Sequence, residues 1–490
     1  MSILRHRGRR VSTLVAALAA ATALAACDRV KSSLLEAVDP DVIDPSQVQS
    51  AGGAVAVRNG ALSRLRVATA DCTGSCGSGN ESSWIFGGLL ADEWASSSSF
   101  VQNDETDQRK IKLDNRTVTG SLRALYRVRT SANQAIALLK EFRPDPSADI
   151  AEMYFARGYA ELQLASDFCN GIPLSDGTTE PATLGTQLTV LEVFHVASAS
   201  FDSAMANSSG TTDADKAINN AARIAKARAM IAISLDSLTA AAALVHDVPT
   251  TFRYDVTASL TGGQNNNWGQ NVSQTRSAVS DSVQGTARNI LVKNAIPFLS
   301  AGDPRVPAHY RLAKNGKDSV KAQDGNGFVI SADSLWGQTS AVALTHGLDA
   351  RLIEAEAALH ANNPGGMMGF LNGLRATKIQ ITAPSPTASG THPGWTTPVM
   401  SALIDPGNDA ARVNLLFREA AFWQFGRGIR LGNLRRLIRE YNRAPDGSDT
   451  FPAGDTHPKG GGFGTDVNLP ITTDESVGNP NFKGCLDRKA

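Results

Sequence analysis

The chain has 490 residues, 42% of them hydrophobic, so it is long enough to bury a large core or two closely packed lobes. Its 47 basic and 47 acidic side chains give a formal net charge of zero. A neutral chain lacks the basic excess that attracts nucleic acid or anionic lipid, so both are excluded as bulk electrostatic partners.

The first segment has the layout of a secretory signal. A basic opening that ends at Arg10 leads into an apolar run from Val11 to Ala26. That run is shorter than the ~20 apolar residues that a membrane-spanning helix needs. The pattern is typical of a signal peptide, which the mature protein would lose.

The signal ends in Leu24-Ala25-Ala26-Cys27, which resembles the bacterial lipoprotein box. We therefore expect residues 1–26 to be removed and a palmitate-bearing lipid on Cys27 to anchor the protein in a membrane. The alternative is an ordinary signal peptide with an incidental Cys27. Asp28 leaves the choice of membrane open, because in some bacteria an aspartate there retains a lipoprotein in the inner membrane.

Helical periodicity dominates the chain up to residue 250. Ala, Leu and Ile recur at i, i+3 and i+4 spacing in successive long segments. These segments are 53–67, 82–97, 117–142, 148–166, 190–207 and 213–245. The part around Tyr154 and Tyr159 is faintly similar to a tetratricopeptide helix, but no strict repeat period is found. We therefore predict degenerate tetratricopeptide-like helical hairpins over residues 27–250.

Residues 251–490 have a different character. The segment 250–345 contains the Gly/Asn/Gln-rich stretch "SLTGGQNNNWGQNVSQ" and lacks helical periodicity. Helical patterns return at 344–361, 364–377 and 409–441. We therefore predict a mostly α fold, in which the helical hairpins pack against a loop-rich second lobe that contains these returning helices.

Besides Cys27, the chain has the cysteines Cys72, Cys76, Cys169 and Cys485. An even number in an exported chain indicates two disulfides, with three possible pairings. The short spacing in "CTGSC" favours a Cys72–Cys76 loop, and a Cys169–Cys485 bond would then tie the C-terminal tail to the body. A CxxxC metal site is the competing interpretation, but no histidine lies nearby in the sequence.

The sequence contains no motif of a catalytic, metal or cofactor site. None of the eight histidines is followed by glutamate, so there is no HExxH zinc helix. There is no G-x-S-x-G elbow, and Gly316-Lys317 lacks the other residues of a phosphate-binding loop. We predict that the protein is not an enzyme and that it has no metal site and no cofactor.

Several weak motifs occur in a specific order along the chain. They are "ARGYAELQLASDFCNGIPL" with Arg157, Tyr159 and Glu161, "GDPRV" with Arg305, "LDARLIEAEAAL" with Glu354, "LFREAAFWQFGRGIRLGNLRRL" with Arg418, Glu419, Gly428, Arg430 and Arg436, and "NLPITTDESVGNPNF". Together they resemble the SusD/RagB family of lipid-anchored nutrient-binding proteins, over the chain from Cys27 onward. Arg427 and Asn433 depart from the family pattern, which usually has Glu and Asp there, and this puts a local ion pair in doubt.

We interpret the arginine-rich stretch 415–440 as structural. A break at Gly426 and Gly428 separates two predicted helices, so the arginines project from different faces. We expect Arg418, Arg430 and Arg436 to bind carboxylates and backbone carbonyls between elements. A nucleic-acid surface would need a basic field, and a membrane-surface helix would need separate apolar and charged faces.

The resemblance implies a binding protein of the cell outer membrane. Such a protein captures oligosaccharide or peptide nutrients and delivers them to a TonB-dependent, SusC-like transporter, and its membrane contact is the lipid anchor. Nucleic acid is not an expected partner. The alternative is a helical-repeat scaffold lipoprotein that binds protein partners.

We expect the ligand where flat aromatic rings for sugar faces and amides for hydroxyls lie close in sequence. The first candidates are Trp268, Gln264, Asn265, Asn266 and Asn267. The resemblance adds an early loop from Trp94 to Asn103, and Trp336 lies in the same loop-rich lobe as Trp268. For each tryptophan the alternative is core packing, and for the asparagine run it is a flexible loop.

Overall fold

The structure of the chain is a computed structural model that describes residues 49–72, 82–179, 181–313, 315–446 and 450–490. The predicted signal peptide, the predicted anchor Cys27 and the predicted disulfide partner Cys76 lie outside these described residues. Within the described ranges, no helix is both long enough and apolar enough to cross a membrane.

Helices make up most of the first half of the described chain. They are α1 Ala51–Ala68, α2 Ser83–Leu90, α3 Val101–Asp107, α4 Arg116–Phe142, α5 Ser147–Asp167, α6 Val190–Asn207, α7 Asp213–Ile233 and α8 Leu238–Val245. Each of the helices α4 to α7 packs against the next, and α1 packs against α4. The predicted mostly α fold built on helical hairpins is confirmed.

Side-chain caps mark where two of these helices begin. The Thr189 hydroxyl accepts a hydrogen bond from the Glu192 amide, and the Glu192 carboxylate accepts one from the Thr189 amide. Thr212 and Asp215 form the same reciprocal pair at the start of α7. Such caps satisfy amides that the first helical turn leaves without partners, and each contributes about 1 kcal/mol. The starts of α6 and α7 are therefore determined by local sequence.

A glycine allows α5 and α6 to approach closely. A Cβ atom at Gly158 would lie 2.9 Å from the Ser200 Cβ and 2.9 Å from a ring carbon of Phe201. The Phe155 ring packs on the same neighbour, with its centroid 6.0 Å from that of Phe201. The close packing of this hairpin therefore depends on the absence of a side chain at residue 158.

Short strands supply the remaining regular structure. They are β1 Asp71–Cys72, β2 Trp94–Ser96, β3 Ile172–Pro173, β4 Gln187–Leu188, β5 Arg253–Val256, β6 Gln264–Asn265, β7 Ser277–Val279, β8 Val283–Gln284, β9 Ile290–Leu291, β10 His309–Tyr310, β11 Ile330–Ser331, β12 Val342–His346, β13 Gln380–Thr382, β14 Ser385–Thr387, β15 Gly390–His392 and β16 Trp395–Thr396. They form antiparallel pairs, among them β1 with β6, β2 with β7, β5 with β12 and β10 with β11. The pairs β1–β6 and β2–β7 join the helical first half to the loop-rich second half.

Helices return in the second half, as the sequence predicts. They are α9 Gly347–His360, α10 Pro364–Arg375, α11 Asp409–Trp423, α12 Arg430–Arg439 and α13 Thr473–Gly478. The predicted break between α11 and α12 is confirmed, with φ of 68° at Gly426 and 64° at Gly428. A Cβ at Gly428 would also lie 2.0 Å from the Trp84 Cδ1 atom. Backbone conformation and close approach both require glycine there.

Two predicted helices are interrupted. The predicted helix 82–97 ends at Leu90, and Trp94–Ser96 is extended because it pairs with β7. The predicted helix 213–245 breaks at Ser234, whose hydroxyl accepts a hydrogen bond from the Asp236 amide. A serine that binds a nearby backbone amide competes with helix continuation, so periodicity alone was insufficient at this point.

One hydrophobic core extends through both halves of the chain. The described residues from Ser50 to Ala490 form one compact unit. Trp84 and Phe155 of the helical half belong to the same buried cluster as Trp336 and Phe425 of the loop-rich half. The two parts predicted on either side of residue 250 therefore share a core.

A disulfide ties the C-terminal tail to the end of α5. Cys169, which lies just beyond α5, is bonded to Cys485. This confirms the predicted link between tail and body. Cys72 is also disulfide-bonded, and its partner lies outside the described residues, so the predicted Cys72–Cys76 pairing stays a prediction.

Candidate ligand-binding site

The asparagine run that the sequence singled out, Asn265–Asn267, lies in the interior. Asn265 Nδ2 donates to the Ser340 carbonyl at 2.7 Å, and Asn267 Nδ2 donates to the Gly426 carbonyl at 2.8 Å. All three asparagines are at most 1% exposed. Buried amides that bind backbone carbonyls cross-link the fold. The structure therefore does not present them to a ligand, and the run is not a flexible loop.

Trp94 and Trp336 lie in the aromatic centre of the core. Their ring centroids are 5.9 Å apart, and the Phe425 centroid lies 5.0 Å from that of Trp94 and 5.7 Å from that of Trp336. Trp94 is 0% exposed and Trp336 is 2% exposed. The structure thus shows core packing for both tryptophans, because distant strands and helices cover their indole faces.

The remaining predicted ligand residues do not share a surface. Trp268 is half-buried and packs against the core, and its amide donates to Asn265 Oδ1 at 2.9 Å. Gln264 pairs with Cys72 between β6 and β1. Asn103 lies in α3 and is 6% exposed. The predicted set is not brought together at a site open to solvent.

A cleft of ≈ 480 Å³ lies beside the early loop that the resemblance indicated. Four consecutive serines, Ser96–Ser99, line it, and so do the aromatic side chains of Tyr310 and Phe328. We call this space the serine-loop cleft. The predicted ligand residues Trp94 and Asn103 are the two ends of this loop, whereas the loop residues that face the cleft, Ala95–Ser99, lie between them.

Hydrogen bonds fix the serine loop against α3 and a neighbouring turn. The Ser96 amide donates to Asp107 Oδ2 at 2.7 Å, and the Ser96 hydroxyl donates to Asp104 Oδ1 at 2.5 Å. The Ser98 hydroxyl donates to Gln323 Oε1 at 3.0 Å. The loop is therefore preorganised, with backbone and hydroxyl groups at defined positions along the cleft.

The two aromatic residues lie on extended segments that pair with their neighbours. Tyr310 pairs with Ile330 between β10 and β11, and Phe328 forms a bridge with Lys321. Tyr310 is 37% exposed and Phe328 is 41% exposed. No motif in the sequence marks these two residues. Their solvent-facing rings can stack on the apolar face of a sugar or on an apolar side chain.

Lys459 connects three parts of the cleft wall. Its Nζ donates to Asp324 Oδ2 at 2.6 Å and to the Ser98 carbonyl at 2.7 Å, and it lies 3.5 Å from Asp104 Oδ1. Burial raises the pKa of the Asp104 carboxyl, while the Ser96 hydrogen bond and the Lys459 charge act in the opposite direction. No sequence pattern marks Lys459, because its partners lie more than a hundred residues away.

Arg288 and Asp281 form a second ion pair in the cleft wall. The Asp281 side chain is 0% exposed and the Arg288 side chain is 29% exposed. Asp281 also accepts a hydrogen bond from the Ser300 amide at 3.2 Å. Hydroxyls, half-exposed rings and neutralised charges suit reversible ligand binding. Among the described residues, no group of three or more His, Cys, Asp or Glu side chains is placed to hold a metal ion.

No family model and no curated protein matches the chain, but solved structures do. A SusD superfamily protein from Parabacteroides distasonis matches with a TM-score of 0.59 and 15% identity, over 89% of this chain and 98% of that one. A SusD-like carbohydrate binding protein from Bacteroides vulgatus matches with a TM-score of 0.55 and 15% identity, over 88% and 97%. NanU of B. fragilis matches with a TM-score of 0.54 and 13% identity, over 91% and 100%. The chain has the SusD-like fold.

Within this SusD-like fold, motif arginines form ion pairs in the interior. Arg305 Nη1 and Nη2 donate to the two carboxylate oxygens of Glu419 at 2.6 and 2.9 Å. Arg436 binds both oxygens of Glu356, and its Nε donates to the Ile231 carbonyl at 3.0 Å. These planar, two-point contacts connect α12 to α9 and α7, and α11 to the loop before β10.

Arg427, one of the two departures from the family pattern, has its own carboxylate partner. Its Nη1 and Nη2 donate to Asp349 Oδ1 at 2.9 Å and Oδ2 at 2.7 Å. Burial acts to raise the pKa of Asp349, but the Arg427 charge and hydrogen bonds are stronger and hold it below its ordinary value. Arg427 thus forms a different ion pair, with a residue from α9. Asn433, the other departure, donates through Nδ2 to Gln424 Oε1 at 3.0 Å.

The motif that contains Arg157, Tyr159 and Glu161 also has a packing role. The Arg157 Nε donates to the Ser200 hydroxyl at 3.0 Å, and this hydroxyl donates to Glu161 Oε2 at 2.6 Å. Tyr159 is fully buried, with its ring centroid 6.0 Å from that of Phe155. The other motif contacts are Arg430 with Asp92, Glu354 with His246 and Arg351, and Arg418 over the Phe422 ring. For Arg418, the structure shows an aromatic ring where we expected a carboxylate or carbonyl.

Proposed function

We propose that the chain is an outer-membrane lipoprotein that captures an oligosaccharide in the serine-loop cleft and delivers it to a TonB-dependent, SusC-like transporter. The SusD-like fold supports this proposal, since two of the solved structures with that fold are SusD-like carbohydrate binding proteins. The observation that carries it is the cleft itself, in which Tyr310 and Phe328 lie with the four-serine loop.

The chemistry of the cleft matches the two faces of a sugar. Sugar rings have apolar C–H faces that stack on aromatic side chains, and hydroxyls at their edges that need hydrogen-bond partners. Tyr310 and Phe328 provide the rings, and Ser97, Ser99 and Asn326 provide neutral polar groups in the lining. Ligand sites commonly combine an apolar surface with a few fixed polar groups in this way.

Direct binding measurements test this site. Calorimetry of the chain from Asp28 onward against oligosaccharide and peptide panels should give binding to an oligosaccharide. Tyr310→Ala and Phe328→Ala should each weaken it by about 1 kcal/mol, the scale of one aromatic contact. Leu312→Ala is the matched control, because Leu312 is 52% exposed on the segment that follows β10 and does not line the cleft. Equal affinities of the wild type and all three variants would mean that the ligand binds elsewhere. Binding to peptides alone would mean that the ligand is a peptide and not an oligosaccharide.

The proposed location depends on Cys27. Export and lipidation would place the cleft outside the cell membrane, and the transporter partner follows from the resemblance. Cys27→Ser should abolish palmitate labelling and release the protein from the membrane fraction. Retained labelling of the variant would contradict the anchor at this cysteine.

The structure gives no support to the scaffold alternative. Arg435 of α12 donates to the carbonyls of Ala165 and Ser166 at 3.0 and 2.7 Å, and Arg436 binds the α7 carbonyl of Ile231. The chain's own helix α12 therefore covers these parts of the helical repeat. Absence of binding to every oligosaccharide and peptide would return weight to a scaffold role.

A further inference from the structure

We propose that the serine-loop cleft selects uncharged oligosaccharides and discriminates against glycans that carry carboxylate or sulfate groups. This inference rests on the proposed function and adds the class of glycan. It depends on the charges that line the cleft and on the partners that those charges already have.

The described lining contains more acidic than basic side chains. The acidic residues are Asp104, Asp281 and Asp324, and the basic residues are Arg288 and Lys459. Three carboxylates against two cations give the lining a formal charge of −1 when all five are ionised. An anionic ligand would therefore enter a lining without a cationic excess.

Both cations are already bound to carboxylates of the wall. Lys459 lies between Asp324 and Asp104, at 2.6 and 3.5 Å, and its side chain is 12% exposed. Arg288 is paired with Asp281. A glycan carboxylate could bind Lys459 only by displacing a wall carboxylate, which would leave that group without its partner. At Arg288 it would share the guanidinium with the Asp281 carboxylate, whose charge already compensates that cation.

The remaining polar groups of the lining are uncharged. Ser99, the Tyr310 hydroxyl and the Asn326 amide can each donate a hydrogen bond to a sugar hydroxyl or accept one. The hydroxyls of Ser97 and Thr286 donate to the carbonyls of Thr275 and Asn326 and can still accept one. A neutral sugar thus finds partners without disturbing either ion pair. An acidic sugar must lose hydration around its charge, and each cation that it meets in the described lining already has a carboxylate partner.

A chemically matched ligand series tests this inference. The probe is the oligosaccharide that binds most tightly in a panel of neutral and acidic glycans. If that probe is neutral, its form oxidised to the uronate at C6 should bind at least tenfold more weakly, and the methyl ester of the uronate should recover most of the affinity. The ester has the larger group but no charge, so recovery separates charge from size. Affinity for the neutral probe should change less than about twofold between low and high salt, since no net ionic contact is formed.

A variant that leaves the cation in place sharpens the test. Asp324→Asn keeps the oxygen that accepts hydrogen bonds from the Asn326 and Gly327 amides, but removes the charge that pairs with Lys459. In this variant, the ratio of the affinity for the neutral form to the affinity for the uronate form should fall about threefold to tenfold. That is the size of one screened ionic contact. Asp474→Asn is the control, because Asp474 pairs with Arg123 outside the cleft lining.

The outcomes separate this inference from the proposed function. Tightest binding to an acidic glycan, or equal affinity for the uronate and its ester, would overturn the selectivity and leave glycan capture standing. If Asp324→Asn prefers the neutral form over the uronate form as strongly as the wild type does, the Lys459–Asp324 pair is not the source of the selectivity. Absence of binding to every neutral and acidic glycan would overturn the proposed function, and the selectivity with it.

Discussion

The interior arginine network and the serine-loop cleft both contain ion pairs, but the pairs differ in burial and in consequence. Arg427 and Asp349 are 5% and 1% exposed and meet at two points, whereas Arg288 in the cleft is 29% exposed. A buried pair that loses one partner leaves a charge in a medium of low dielectric, while water screens a more exposed pair. The first kind holds helices together, and the second kind lines the proposed ligand cleft.

The segment richest in motifs does not coincide with the candidate ligand cleft. The motif-rich segment around α11 and α12 is largely structural, since Arg305, Arg427 and Arg436 all bind interior carboxylates. The residues that line the cleft come from segments without a recognisable motif, such as Tyr310 and Lys459. Packing restricts the first group strongly, and loops can vary around a fixed scaffold.

The largest expected effect is on stability, from the interior side of the comparison. Arg427→Met should lower the free energy of unfolding by about 3–5 kcal/mol, because it leaves the Asp349 carboxylate buried without its cation. Chemical denaturation monitored by tryptophan fluorescence measures this loss. A change below 1 kcal/mol would mean that the pair does not hold α9 to the α11–α12 break, and the contrast with the cleft would fail.

The next largest effect is a pH dependence of the folding stability, caused by Glu93. Glu93 lies just before β2, and its Oε1 accepts a hydrogen bond from the Gly426 amide at 3.1 Å. Burial raises its pKa to about 8, against the opposing effects of that hydrogen bond and of the Arg430 charge. The pKa of Glu93 in the folded protein lies above its value of about 4.3 in the unfolded chain. The stabilisation that protonated Glu93 contributes is therefore complete below a pH of about 4.3, and it is lost as the pH rises through about 8.

Glu93→Gln should remove this dependence. Between pH 5 and pH 8, the wild-type chain should lose about 3–4 kcal/mol of stability relative to the variant. Denaturant midpoints measured across that range give the difference directly and do not depend on a constant offset between the two proteins. Parallel pH profiles would show that Glu93 titrates in the folded protein as it does in the unfolded chain.

The smallest effect is expected at an exposed arginine of the same motif. Arg418 lies over the Phe422 ring at 5.3 Å and is exposed to solvent. Arg418→Met should cost about 0.5–1 kcal/mol, the value of an exposed cation–π contact. Measured beside Arg427→Met, it tests whether burial rather than motif membership sets the energy. Equal losses for the two variants would contradict that conclusion.

Much of the fold could be predicted from sequence because its signals are local. Helical periodicity, the caps at Thr189 and Thr212, and the glycine break before α12 all depend on residues within a few positions of each other. The prediction failed at 82–97, where pairing of β2 with the distant β7 overrides helical periodicity. The same pairing is one reason why Trp94 is buried.

For the candidate site, the region of the chain was predicted but the individual residues were not. The resemblance led to the loop from Trp94 to Asn103, and the cleft lies beside it. The choice of individual residues did not follow, because Trp94 and Asn265 are covered by segments that are far away in sequence. Aromatic or amide character makes a residue suitable for a sugar, but it equally suits a core or a buried cross-link.

The sequence by itself determined most of the helices, their hairpin succession and the break between α11 and α12, because these depend on local spacing. It favoured the pairing of Cys169 with Cys485 among three possibilities, because few partners were available. Only the tertiary structure decided which side chains face solvent. Trp94 and Trp336 are enclosed by elements from both halves of the chain, while Tyr310 and Phe328 remain at the surface beside the serine loop. Burial is a property of what packs on a residue from elsewhere in the chain, so the residue's own type does not determine it.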